Sequence, residues 1–570
     1  MKTGRLIRGH YPWRTLVGAL ALLCALELHA AAQPERIAIA SAHPAATVAG
    51  QETLALGGNA FDAAVAISAA LAVVEPYGSG LGGGGFFLLR EAGESPTYRF
   101  LDARERAPQA AHADLYRVDG EISKDLSLNG ALAAAIPGLP AALVELAERF
   151  GRLPLRDSLA PAIRLARSGV SIDRVYRERA GWRLEAIRQN PETARIFLDK
   201  GELPEEFGLL RQPELARTLE QLGTKGLQGF YAGTVAAQLV KAVRDAGGIW
   251  TLKDLADYRI VERQPLRVPL DQGRELISAP PPSAGGIALG QSLLMLQQLP
   301  WQQADSVQRT HLVVETLRRA YRDRSLLGDP GFVRNPAQQL LAPAYLKQLA
   351  SSIDLHRATP SDSLPPSKTW QEGDHTTHFS VLDTEGNAVA ATLSVNLPFG
   401  AAFTAPGTGV LLNNEMDDFA ADVQGANAYG LSGSQANSIA AGKRPLSSMS
   451  PSFIESAEDF ASFGTPGGSR IPSMVLLAML QYLDQQPIKR WPSVARYHHQ
   501  FRPDLIEHEP DTFSPAEITA LEALGHQLKS TGRQYGNQQV LLWDKQDGKV
   551  AAASDPRGIG TAVVTPAVPQ

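Results

Sequence analysis

The chain has 570 residues, 44% of them hydrophobic and 20% charged, with 51 glycines and 39 prolines but no long low-complexity tract. That is the balance of a soluble globular protein, long enough for one very large domain or several ordinary ones. A net charge of −5 argues against nucleic acid as a partner, and the one cysteine, Cys24, lies in an N-terminal apolar run.

That run, Leu16–Leu26, follows Lys2, Arg5, Arg8 and Arg14 and precedes Ala30-Ala31-Ala32. A basic segment, a short apolar core and small residues make residues 1–32 a secretory signal peptide; a signal anchor is the alternative. Its removal takes the net charge to −8 and leaves neither a disulfide nor a thiol nucleophile. The expected location is periplasmic or secreted.

Asp62 to Val74 is small, apolar and uninterrupted, the pattern of a helix buried on most sides, and it stops before Pro76. The glycine-rich stretch Ser79–Gly85 leads into an apolar strand at Phe86–Leu89. No Gly-Lys-Ser/Thr follows, so close backbone packing is expected there and not a phosphate. Residues 138–350 read as largely helical, with helices at 139–150, 161–168, 213–222, 234–246, 290–298 and 307–327. The polar, proline-bearing stretch 351–373 reads as an exposed linker. Strands return from 376, with helices near 469–483 and 515–524 and a closing strand pair at 539–543 and 549–553. Strands at both ends with helices between them indicate a layered α/β protein whose sheets are shielded by helices.

The linker runs into Thr376-Thr377-His378-Phe379-Ser380. A turn follows at Thr384-Glu385-Gly386, then a return strand over Asn387–Asn396. On that strand Val389, Ala391, Leu393 and Val395 share one face, and Thr392, Ser394 and Asn396 the other. A three-residue loop with Gly386 in the left-handed position pairs 383 with 387 and brings Thr376 opposite Ser394 and His378 opposite Thr392. A two-residue loop would set Thr376 against Val395, on the wrong face. Two readings stay open at this point. One is an ordinary hairpin with a solvated polar face. The other is a cut before Thr376, whose hydroxyl would become a nucleophile with its own α-amine as base. An α-amine titrates near 7.7–8.0, so it suits that task at neutral pH. In the precursor the same hydroxyl can attack the carbonyl of His375, giving an ester that water opens.

Several motifs extend this pattern: Gly57–Asp62, Arg104-Glu105-Arg106-Ala107-Pro108, Gly386–Val389, Leu411–Phe419, Arg444–Pro451 and Gly464–Arg470. Together, and in this order, they resemble the γ-glutamyltransferase family over essentially the whole chain after residue 32. The resemblance implies an N-terminal-nucleophile hydrolase with a four-layer αββα sandwich. It implies self-cleavage into a large subunit, 33–375, and a small subunit, 376–570, that stay together as a heterodimer. By the same resemblance Thr376 is the nucleophile, Ser394 the hydroxyl that assists it, and Thr392 a supporting position. Arg104, Ser447 and Ser448 would bind the substrate α-carboxylate, Asn396, Glu415 and Asp418 its α-ammonium, and Gly467 and Gly468 the oxyanion. Tyr429 would belong to a loop covering the site. The implied substrates are γ-glutamyl compounds such as glutathione, with water, amino acids or dipeptides as acceptors and no cofactor or metal. A cephalosporin-type acylase and an uncleaved γ-glutamyl-binding homologue are the alternatives.

Three positions depart from the family pattern: Ser394 where threonine is common, Glu415 where glutamine alternates with glutamate, and the bulky Phe463 before Gly464. His498-His499 suggests a metal site only weakly, since no third ligand is evident, and a structural role is expected. His43 before Pro44 is expected to pack or hydrogen-bond, and Asp555 and Arg557 to pair across a turn.

Overall fold

The computed structural model describes Met1 and residues 32–364, 376–420 and 434–566. Residues 2–31 of the signal segment, His375 and Tyr429 fall outside these described residues.

Two antiparallel sheets organise the chain. The larger runs in the order Thr561–Pro566, Arg36–Ser41, Thr376–Leu382, Ala388–Ser394, Gly84–Glu91, Thr97–Ala103, Val261–Arg263. The smaller runs Val550–Ser554, Gln539–Asp544, Asp459–Gly464, Ser452–Glu455, Glu275–Ser278, Leu266–Pro269. One core joins Phe379, Val381, Val389, Ala391 and Leu393 of the larger sheet to helices Ala60–Val74, Leu139–Arg149 and Leu155–Ser168. A second core joins Ala388 and Ala390, on the other face of the same strand, to Phe453, Ile454, Phe460 and Phe463 of the smaller sheet. Helices Gly285–Leu296, Ser306–Arg324 and Ile471–Leu483 contribute to that second core. The sheets are also tied by polar contacts. Ser380 Oγ meets Ser462 Oγ at 2.8 Å, and Arg90 pairs with Glu455 at 2.8 Å.

Helix Ala60–Val74 shows how sequence sets an element. Asn59 accepts from the N–H groups of Phe61 and Asp62, while Asp62 accepts from Asn59 N–H, a reciprocal capping box. The helix is buried along its whole length and ends at Glu75, before Pro76. Its mainly small side chains, seven of them alanine, let it lie between the sheet and helices Pro44–Ala55 and Leu155–Ser168.

The hairpin has the longer loop. Asp383 N–H donates to Asn387 O, Gly386 has φ +88°, and Thr376 faces Ser394 while His378 faces Thr392. The Asp383 carboxylate organises the turn: it accepts from the N–H groups of Glu385 and Asn387 and from Asn387 Nδ2. It also accepts from Ala60 N–H, the first amide of the buried helix. Burial raises the Asp383 pKa, and these donors oppose the rise. The polar row on the return strand is not solvated, as an ordinary surface hairpin would have it. Thr392, Ser394 and Asn396 are all buried.

One other expectation is refined and another corrected. Residues 351–364 are mostly exposed, as expected of the linker, but they are anchored and not free: Ile353, Ala358 and Ser361 are buried. Ser361 N–H donates to Asp504 Oδ2 at 2.7 Å, and Arg318 Nη1 donates to Ser361 Oγ at 2.6 Å, so a polar segment is held by charged partners. The helix read from Pro161 begins at Leu155, because proline removes one ladder bond without ending a helix whose apolar face continues through it. Phe463 stacks on Trp491 at 5.4 Å inside the second core. His43 caps helix Pro44–Ala55 through Nδ1, and Arg557 pairs with Asp555 at 3.2 Å.

Asp383→Ala leaves four donors, three of them buried, without their acceptor. Removing one partner from a buried hydrogen-bonded charge costs roughly 3–5 kcal/mol, so the variant should melt well below the parent. A thermal melt unchanged within about 0.5 kcal/mol would refute this role for the carboxylate.

Candidate active site

Thr376 opens its strand, and its Oγ1 is buried with no hydrogen-bond partner among the described residues. A buried hydroxyl in this state still has a hydrogen bond to give and to accept. The next residue is tied down: Thr377 Oγ1 donates to Glu75 Oε2 at 2.7 Å, and Tyr77 OH donates to Glu75 Oε1 at 3.1 Å. Burial raises the Glu75 pKa above that of an ordinary glutamate.

Opposite Thr376, Ser394 Oγ accepts the N–H of Asn396 at 2.8 Å. Asn396 has φ +71°, a left-handed conformation that asparagine tolerates better than most residues, and its Nδ2 donates to Asn414 O at 2.9 Å. The glycine-rich stretch supplies the close approach expected of it: a Cβ on Gly83 would sit 2.1 Å from Ser394 O. Thr392 lies one step further in, where its Oγ1 meets His378 Nδ1 at 2.9 Å. From there a polar chain continues through Ser380 to Ser462 of the smaller sheet. Burial lowers the His378 pKa to about 3, so this ring is neutral. Thr392 is therefore bonded into the support behind the site.

Arg104, Thr376, Ser394, Asn396, Glu415, Asp418, Ser447 and Gly468 line one pocket of about 10 Å³. Arg104 reaches across it, with Nη1 on Glu415 Oε1 and Nη2 on Asp418 Oδ2. Its Nε donates to Pro445 O at 3.3 Å, so the fork is oriented from behind by backbone. Ser447 Oγ accepts from Met449 N–H at 3.1 Å, while Ser448 is buried beside it. Gly467 (φ +140°) and Gly468 (φ +55°) make the turn ahead of helix Ile471–Leu483; a Cβ on Gly467 would strike Met474 Cε at 2.4 Å. Their amides thus lie at a helix N-terminus, where partial positive charge gathers.

Sequence reasoning passed over one carboxylate. Glu105 is fully buried beside Arg104, with Oε2 at 3.9 Å from Nη1, and neither of its oxygens has a hydrogen-bond partner among the described residues. Burial lifts its pKa to about 7. Glu415 is also pushed up, by burial first and by Glu105 next. Three acids thus surround one arginine. The signal was the Arg104-Glu105 dipeptide itself, read only for its arginine. Glu75 was likewise read only as the end of a helix.

With the geometry established, comparison with known proteins is decisive. A family model described as Gamma-glutamyltranspeptidase matches residues 46–565. The chain belongs to the γ-glutamyltranspeptidase family. A glutathione hydrolase proenzyme of Pseudomonas sp. (strain A14) is 39% identical over 92% of each chain. The Escherichia coli (strain K12) protein of the same name is 38% identical over 91% of this chain and 90% of its own. Among solved structures, a cephalosporin acylase from Bacillus halodurans superposes with TM-score 0.82 at 25% identity, covering 98% of this chain and 99% of its own. A γ-glutamyltranspeptidase chain from Helicobacter pylori superposes with TM-score 0.55 at 36% identity, covering 57% of this chain and 94% of its own. No helix among the described residues is long and apolar enough to cross a membrane.

The crowded carboxylates give a pH prediction for a member of this family. Beside Arg104, Glu105 and Glu415 hold protons more firmly than free glutamate does. An arriving ammonium favours their ionised forms, so their pKa values fall and protons leave. L-Glutamate binding near pH 6–7 should release protons, and the release should vanish above about pH 9, where both acids are already ionised. Calorimetry in buffers of different ionisation enthalpy measures it, and heats independent of buffer would count against it.

Proposed function

We propose that the chain is a self-processing γ-glutamyltransferase and glutathione hydrolase. The observation that carries this reading is the partnerless Thr376 hydroxyl at the edge of a pocket where Arg104, Glu415 and Asp418 converge. Those groups suit a free amino-acid head, a carboxylate for the guanidinium and an ammonium for the acids. A side-chain amide carbonyl of that amino acid would then face Thr376.

Thr376 Oγ adds to the γ-carbonyl carbon of the donor, with the freed α-amine of Thr376 taking its proton. The amides of Gly467 and Gly468 stabilise the resulting oxyanion; losing one such donor typically costs ~10²–10³ in rate. Collapse expels the amine and leaves a γ-glutamyl ester on Thr376, which water or a second amine cleaves. Ser394 steadies the nucleophile from across the hairpin, and Thr392 steadies His378 behind it. Asn396 joins Glu415 and Asp418 at the ammonium, and Ser447 and Ser448 join Arg104 at the carboxylate. Since Arg104 spans the small pocket to Glu415 and Asp418, the substrate must take over these contacts as it enters.

Processing at His375–Thr376 gives subunits 33–375 and 376–570. Supporting this, the matched relatives are called proenzymes, and the Helicobacter chain covers just over half of this one. Two sheets facing each other, each with helices on its outer side, support a four-layer αββα arrangement. The basic–apolar–small pattern of residues 1–32 supports export to the periplasm or medium. The superposition on a cephalosporin acylase keeps acylase activity as the second reading. Arg104 and Asp418 in contact at the pocket favour the γ-glutamyl substrate.

Purified protein should run as two bands, the smaller with Thr376 at its N-terminus, and should hydrolyse a γ-glutamyl anilide. Thr376→Ala should run as one band; two bands in that variant would end the mechanism. Asp418→Ala should raise the KM for γ-glutamyl donors about tenfold or more, as expected when one partner of a buried charge pair is removed. Unchanged kinetics would move the assignment to the acylase.

A further inference from the structure

Strand Ala388–Ser394 runs into a segment whose backbone is strained. Asn396, Phe399, Gly400 and Ala402 have positive φ, at +71°, +57°, +50° and +51°. For a bulky residue such as Phe399 that conformation is an outlier, and it persists only where the surroundings impose it. Packing is one such constraint. The Phe399 ring is fully buried and meets Tyr176 and Phe197 edge-on, each at 5.5 Å, with Tyr77 at 6.4 Å. Gly400 is pressed so closely on the following segment that a Cβ there would lie 2.2 Å from Leu412 O.

Arg183 is the other. It sits at the break between helices Arg174–Trp182 and Leu184–Gln189 and is half-buried. Its Nε donates to Pro398 O at 3.2 Å and its Nη2 to Gly400 O at 3.0 Å, so one guanidinium spans the turn on both sides of Phe399. Nη2 also donates to Asn129 Oδ1 at 2.7 Å and to Leu128 O at 3.4 Å. Leu128 O is shared, because Asn414 Nδ2 donates to it at 3.1 Å. Asn414 in turn accepts Leu397 N–H on Oδ1 at 3.0 Å and Asn396 Nδ2 on its carbonyl at 2.9 Å. The residue after Asn414 is Glu415. By these bonds Arg183 ties together the two segments that carry Asn396 and Glu415. With Nδ2 spent on Asn414 O, the Asn396 amide keeps its oxygen, the end that an ammonium needs.

We propose that Arg183 is a positioning residue that sets donor specificity: it holds the strained turn 397–400, and through it the Asn396 oxygen, in register with Glu415 for an α-ammonium. The inference rests on the γ-glutamyl reading above. It adds a residue that is not part of the pocket lining yet makes the enzyme demand an amino group on its donor. A loosened turn lets the Asn396 side chain drift from the ammonium, while the Thr376 hydroxyl and the amides of Gly467 and Gly468 stay where they are. A donor without the amino group has nothing at Asn396 to lose. An effect passed on through the bond from Asn396 N–H to Ser394 Oγ would instead reach the nucleophile's neighbour and slow every donor alike.

The test compares hydrolysis of γ-glutamyl anilide and glutaryl anilide, which differ only in the α-amino group, by processed enzyme. Wild type should prefer the γ-glutamyl donor in kcat/KM. Arg183→Met should lower that preference about tenfold through the KM of the γ-glutamyl donor, with the glutaryl constants kept within about twofold. Arg183→Lys keeps the cation without the planar fork and should fall between the two. Complete cleavage at Thr376 on a gel shows that a variant has folded. Variants that slow both donors alike, or that keep the wild-type preference, would overturn the role. So would failure of both variants to self-cleave, which would make Arg183 a general support of the fold. A wild type that hydrolyses neither donor, or both equally, would defeat the γ-glutamyl reading itself before any variant is made.

Discussion

The pairing of strand Thr376–Leu382 with Ala388–Ser394 is the constraint on which the site depends, and a single carboxylate sets it. Asp383 gathers three donors of the turn and the first amide of helix Ala60–Val74. Side chains alternate along strands, so a slip of one residue would have turned Thr376 toward the helical core and Val395 toward the site. The same carboxylate closes the turn through Oδ1 and, through Oδ2, fixes where the buried helix starts. That helix ends at Glu75, whose carboxylate returns to the second residue of the nucleophile's strand through Thr377. A loop of contacts thus leaves the strand at its far end and comes back at its beginning.

Around this frame the charges are arranged for a visitor. Arg104 is buried among Glu105, Glu415 and Asp418, an excess of acid that burial makes costly. Burial biases Glu105 and Glu415 toward their protonated forms, and an arriving cation would favour their ionisation. The hydroxyl of Thr376 is left unpaired in the same way. Preorganisation of this kind holds groups in an environment that suits the bound state better than the empty one.

Much of this was legible in the residues. The hairpin register followed from counting the turn, and the helix at 60–74 from its unbroken apolar run and the proline after it. The motifs from Arg104 to Arg470 located the site because they came in family order. What was not legible was whatever depends on three-dimensional partners. Residues 351–364 look like a linker because their polarity says nothing of Arg318 and Asp504 waiting to bind them. Glu105 and Glu75 are ordinary acids in sequence, and only burial makes them unusual.

The order of strands in the larger sheet has one more consequence. Arg36–Ser41 lies between Thr561–Pro566 and Thr376–Leu382, while Ala388–Ser394 lies between Thr376–Leu382 and Gly84–Glu91. Segments from before and after residue 376 thus lie side by side at three places in this sheet. A cut ahead of Thr376 therefore changes the molecularity of folding without changing the fold. The uncut chain assembles this sheet in a first-order process, whatever its concentration. The cut halves, once separated, must find each other again. Cleavage would thus trade a reversible fold for one preserved chiefly by the slowness of its opening.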